Sequence, residues 1–114
     1  MMPGKIGVLA VALTASHLLT PSQFAHMSVA RNARVLDVRG GARPVVYPYK
    51  QVARAHLVAI ARSLVADHRT VLVIDHADRA PTDARRLQEA GITSAFVLRN
   101  GAHNYRAMMR FGTY

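Results

Sequence analysis

The chain has 114 residues, enough for one domain and too few for two. Apolar residues make up 51% and charged residues 18%, so it can build a core and is not disordered by composition. Lys plus Arg is 15 against 6 for Asp plus Glu, a net charge of +9, and there is no cysteine. Disulfides, thiolate metal sites and every cysteine-nucleophile mechanism are therefore excluded.

The charge is unevenly spread. Residues 1–70 hold nine cations against Asp37 and Asp67, whereas residues 71–114 hold six Arg against Asp75, Asp78, Asp83 and Glu89. The surplus gathers around Arg31, Arg34, Arg39, Arg43, Lys50 and Arg54. Such a patch suits phosphate, an anionic membrane surface or an acidic protein. The absence of Trp, with only Tyr47 and Tyr49 nearby, argues against nucleic acid. If nucleic acid were the partner, affinity would fall steeply with salt.

At the N-terminus, Lys5 precedes an apolar run from Ile6 to Ala15 that continues past Ser16 and His17 to Leu18 and Leu19. The run falls short of the about 20 residues a helix needs to cross a bilayer. The charged start and the small residues Thr14, Ala15 and Ser16 suit a signal cleaved near residue 16, which would place the rest outside the cytoplasm. The preferred expectation is a retained segment that packs on the domain, on a partner or on a membrane surface. The chain is then cytoplasmic or membrane-associated, with an apolar segment at 1–19 and a domain at 20–114.

Thr20 can cap a helix that has Pro21 at its first position and Phe24 and Met27 on its inner side. Val35 to Val38 reads as a short strand between Asn32 and Gly40-Gly41. The stretch from Gly40 to Tyr49, with Pro44 and Pro48, reads as loop or edge strand. From Lys50 to Ala66, Ala53, Leu57, Ile60, Ala61, Leu64 and Val65 recur at helical spacing, with Arg54, Arg62 and Ser63 off the stripe. Val71 to Ile74 is a continuous apolar strand, and Asp75 to Ala80 is a loop. Pro81 opens a helix that turns Ala84 and Leu87 inward and stops at Gly91. Ala95 to Leu98 is a further buried strand. Asn100-Gly101 then turns into a last helix carrying Tyr105, Met108 and Met109, the methionines as fillers of core or interface gaps. Strands alternating with helices predict an α/β domain with a central, mostly parallel sheet and helices on both faces.

In such a sheet, ligands bind beyond the carboxyl ends of the strands. Asp37-Val38-Arg39, the loop Asp75 to Ala80, and Arg99 to His103 all follow strand ends. The middle loop, Asp75-His76-Ala77-Asp78-Arg79-Ala80, runs into a helix N-terminus, where free N–H groups favour an anion.

In these residues the chain resembles the rhodanese-like family. Val35-Leu-Asp-Val-Arg39 is similar to that family's sheet signature, and Val71 to Ile74 with its six-residue loop and helix is similar to the strand and active-site loop. The pattern Leu87, Gly91-Ile92, Leu98, Asn100-Gly101 and Tyr105 is similar to the family's closing pattern, where Gly-Gly and Trp usually stand at the last places. The matches keep their order over residues 20–110. The family places a catalytic Cys directly after the second of these strands; here that position is Asp75. Its usual loop Gly falls at Asp78 and its loop Arg near Arg79 or Ala80, and Pro44 to Gln51 occupies the interval of a His-Ile-Pro-Gly-Ala segment. The resemblance implies a single rhodanese-like domain that has lost its sulfur-transfer chemistry.

Asp75, His76 and Asp78 could ligate a hard cation, but the preferred expectation is that Asp75 or Asp78 caps the following helix and fills its anion site. The His residues are scattered without ligand spacing, so no metal and no cofactor is expected. Asp37 and Arg39 are expected to pair structurally and, with Arg99 and His103, to form the rim of the vestigial pocket. The function expected is that of a non-enzymatic interaction module or accessory subunit of a larger complex, for which a membrane-bound assembly would account for both the apolar segment and the basic patch. Its partner is a protein, a second copy or an anionic membrane surface, met through Arg31, Arg34, Arg43, Lys50 and Arg54. The alternatives are an enzyme or small-ligand sensor using Asp75 to Arg79, and nucleic-acid binding through the Arg31–Arg54 patch.

Overall fold

A computed structural model describes residues 17–41, 43, 46, 48–99 and 101–111, with the side chains of 104 and 108–111 left out. The expectations for residues 1–16, Pro44, Tyr47 and Asn100, and for the side chains of Met108 and Met109, lie outside what is described. The chain runs β1 (Leu18–Leu19), α1 (Pro21–Ser28), β2 (Ala33–Asp37), β3 (Lys50–Gln51), a 3-10 turn (Arg54–His56) and α2 (Leu57–Ala66). It continues through β4 (Thr70–Ile74), α3 (Ala80–Glu89), β5 (Ala95–Leu98) and α4 (Gly101–Phe111). Among the described residues, five strands form one sheet in the order β1-β5-β4-β2-β3, each pairing parallel. The α/β class and the parallel central sheet are as the alternation of elements predicts.

β4 lies in the middle. It registers Ala33 to Asp37 of β2 against Thr70 to Ile74, and its other edge meets β5. Its continuous apolar run is explained by the packing, because alternate residues serve different clusters. Val71 and Val73 join Leu57 and Ala61 of α2 and Ala84 and Leu87 of α3. Leu72 and Ile74 join Phe24 of α1 and Ala102 and Tyr105 of α4.

The first helix starts as its sequence directs. Thr20 accepts from the Gln23 backbone N–H at 3.2 Å while the Gln23 side chain accepts from the Thr20 N–H at 2.9 Å, a reciprocal cap. Phe24 is fully buried, and its ring meets Tyr105 edge-on with centroids 5.7 Å apart. Leu18 and Leu19, read as the end of the N-terminal segment, instead belong to the sheet, opposite Val97 and Leu98. The Val97 and Arg99 N–H groups donate to the carbonyls of His17 and Leu19, each at 2.7 Å. The buried His17 ring holds the Ile92 carbonyl at 3.1 Å.

Between Lys50 and Ala66 the structure departs from the predicted single helix. Lys50 and Gln51 pair with Leu36 and Asp37 as β3, and the Val52 N–H extends that pairing to the Asp37 carbonyl at 3.0 Å. The helix proper begins only at Leu57. Ala53 lies exposed before it, while Val52 is buried in the core that Leu57 and Ala61 also fill. Gly91, at φ +75°, ends the α3 segment as predicted. Among the described residues, no helix is long and apolar enough to cross a membrane.

Candidate functional site

The carboxyl ends of β2, β4 and β5 bring three loops together. After β2, Arg39 turns back onto Asp37: Nε donates to Oδ1 at 3.0 Å, Nη2 to Oδ2 at 2.7 Å, and the Arg39 backbone N–H to Oδ1 at 3.1 Å. Both side chains are almost fully buried, and the paired donors match the carboxylate fork. The same Nη2 reaches the Arg43 carbonyl at 2.6 Å, and Arg106 of α4 reaches that carbonyl at 2.7 Å. The loop after β2 is thereby fastened to α4.

A pocket of about 270 Å3 opens among these loops, lined by Arg39, His76, Ala77, Gly101, His103 and Arg106 together with Ala102. Gly101, at φ +74°, brings the start of α4 against the loop after β4, and a Cβ there would lie 2.8 Å from the Ala77 backbone nitrogen. Of the predicted rim, Arg39 and His103 line the pocket. Asp37 is buried in its ion pair, and the exposed Arg99 is not part of the lining.

Asp75 follows β4, and none of its surface is exposed. Arg54 holds it in a two-point ion pair, Nη2 to Oδ1 at 2.7 Å and Nε to Oδ2 at 3.1 Å, and the His76 N–H adds a bond to Oδ1 at 2.7 Å. Burial pushes the Asp75 carboxyl up. The neighbouring Asp83 carboxyl, the Arg54 guanidinium and the His76 N–H outweigh it and hold the group below its ordinary value.

This geometry corrects two expectations. Asp75 and Asp78 do not cap α3, which starts at Arg79 and Ala80 without any side-chain cap. Asp75 points inward to Arg54, and Asp78 is exposed along with His76, Ala77 and Arg79, whereas Ala80 is buried. Arg54 is likewise no free member of the basic patch, since its guanidinium is committed to Asp75 and donates weakly to the Val38 carbonyl at 3.5 Å. Arg34 turns onto the carbonyls of Arg31 and Ala33, at 3.1 and 2.8 Å. Arg31, Arg43 and Lys50 remain exposed.

No protein-family model matches the chain, and no curated protein matches it.

Asp83 is a site residue that no motif in the sequence singles out. It lies in the first turns of α3, fully buried beside Asp75, with Arg54 Nε 3.9 Å from its Oδ1. The signal was present in the helical phase. With Ala84 and Leu87 facing inward, a residue four before Leu87 falls on the same face. An Asp there places a second carboxyl in the core.

Proposed function

We propose that the chain is a catalytically inactive rhodanese-like domain that serves as a protein-interaction module, an accessory subunit in a cytoplasmic or membrane-associated assembly. One observation carries this reading. The position where the resembled family displays its nucleophile holds Asp75, without exposed surface and fixed by Arg54. A group so placed reaches no substrate. The parallel sheet supports the family resemblance, and the two clusters that flank β4 support helices on both faces, α2 and α3 on one and α1 and α4 on the other. The partner surface is the β2–β3 side, where Arg34, Pro48, Tyr49 and Lys50 line a groove of about 210 Å3; Arg31 and Arg43 are exposed outside its lining. A cationic groove with an aromatic wall fits an acidic protein segment.

Two measurements test this. Purified protein assayed with thiosulfate and cyanide, and with an aryl phosphate, is expected to give background turnover. Protein captured from its own cells in mild detergent is expected to bring stoichiometric partners, and the triple variant Arg31→Glu, Arg43→Glu, Lys50→Glu is expected to lose them. Turnover above background, or a chain that arrives alone, would overturn the reading.

A second reading rests on the pocket, where Arg106 with His76 and His103 gives a polar lining suited to a small oxyanion, the Arg39 guanidinium being committed to Asp37. Calorimetric titration with sulfate and phosphate tests it. The expected result is measurable binding that weakens at least about tenfold in Arg106→Ala, as loss of a charge-assisted hydrogen bond requires. No heat at millimolar anion removes this reading.

A further inference from the structure

We propose that Asp75 and Asp83 share one proton beneath the loop after β4, forming a pH-sensitive latch between that loop and the first turns of α3. The inference stands on the cluster's geometry and is independent of the family resemblance. Two carboxyls, both without exposed surface, lie within ion-pair distance of the Arg54 guanidinium. Arg54 gives its short bonds to Asp75 and only a 3.9 Å approach to Asp83. Among the described residues, neither oxygen of Asp83 finds a hydrogen-bond donor.

A buried carboxylate without a donor is costly, and two carboxylates can only accept. One proton on Asp83 resolves both difficulties: Asp83 becomes a donor to Asp75, and the cluster carries one negative charge against one positive charge. The groups facing Asp83 are Asp75 after β4, Arg54 from the 3-10 turn and Arg86 from its own helix. Burial, then the hydrogen bond with Asp75 and the charge of Asp75, push Asp83 up to about 7 against the opposing pull of Arg54 and Arg86. Proton loss leaves two buried anions on one Arg54. The strain falls on the Asp75 contacts to Arg54 and to the His76 N–H, and so on His76 and Ala77, which line the pocket.

The sign follows from where the proton resides. In the unfolded chain Asp83 releases its proton near pH 4, while the folded chain keeps it to about pH 7. The folded state therefore binds the extra proton across that window, and stability falls as pH rises through it. The test is urea denaturation of the full chain at pH 5, 6, 7 and 8, for wild type and Asp83→Asn. The wild-type folding constant is expected to fall by up to about tenfold per pH unit between about 5 and 7, then level off. The Asn variant is expected to lack this fall, and comparing the two profiles removes every contribution the two chains share. Parallel profiles would overturn the proposal. Should the variant not fold, carbon-13 spectra of the wild-type carboxyl groups decide. One Asp carboxyl carbon titrating near pH 7 sustains the shared proton, and titration of all of them below pH 5 overturns it.

Discussion

Arg54→Ala is expected to destabilise the domain by about 3 kcal/mol at neutral pH, because removing one partner of a buried ion pair leaves the other charge uncompensated. Asp75 would keep the His76 N–H and the proton of Asp83 but lose both guanidinium donors. The figure sits at the low end of the range for buried pairs because the Arg54 side chain is 29% exposed and partly screened. The cost should shrink as pH is lowered, since an unpaired Asp75 takes up a proton. Urea denaturation at pH 7 and pH 5 checks both statements. A cost under about 1 kcal/mol, the level of a surface pair, would mean that Asp75 does not depend on Arg54. Arg54→Lys is expected to recover only part of the loss, as an ammonium cannot present the paired donors that reach both Asp75 oxygens.

Phe24→Ala is expected to cost about 4 kcal/mol, within the range for emptying a fully buried aromatic site. Phe24 fills a cluster that joins α1 to Leu72 and Ile74 of β4, Leu98 of β5 and Tyr105 of α4. The loss measures whether α1 is integral to the domain or an appendage. Denaturation midpoints decide: a change under about 1 kcal/mol, typical of exposed positions, would make α1 dispensable. Phe24→Leu keeps most of the volume and should cost much less, although it forfeits the edge-on contact with Tyr105.

The central strands were legible because burial on both faces writes an uninterrupted apolar run, as in Val71 to Ile74. The outer strands were not. β1 and β3 have two residues each, too few to show a period, and Lys50 and Gln51 are exposed and carry no apolar mark. The pocket's place at the strand ends followed from topology. The partner of Asp75 did not, because Arg54 lies 21 positions upstream in the chain and its side of the helical stripe reads as solvent-facing. Charge counting put Arg54 with its basic neighbours, whereas the fold assigns it to the acids under the loop. Asp83 shows the reverse case, a local pattern that marks an inward residue but whose meaning appears only once a second carboxyl stands beside it.

The pairing of β1 with β5 has a consequence for the order in which the molecule assembles. His17 and Ile92, which meet beside that pairing, stand 75 positions apart, so this edge of the sheet cannot close until Ala95 to Leu98 have been made. Contacts between distant segments forfeit loop entropy before they gain anything, which slows folding. On the ribosome, β2 and β4 can pair while Leu18 and Leu19 still wait for β5. A nascent chain halted before Ala95 therefore leaves the flank of β4 bare, and β5 is the strand that joins β1 to the sheet.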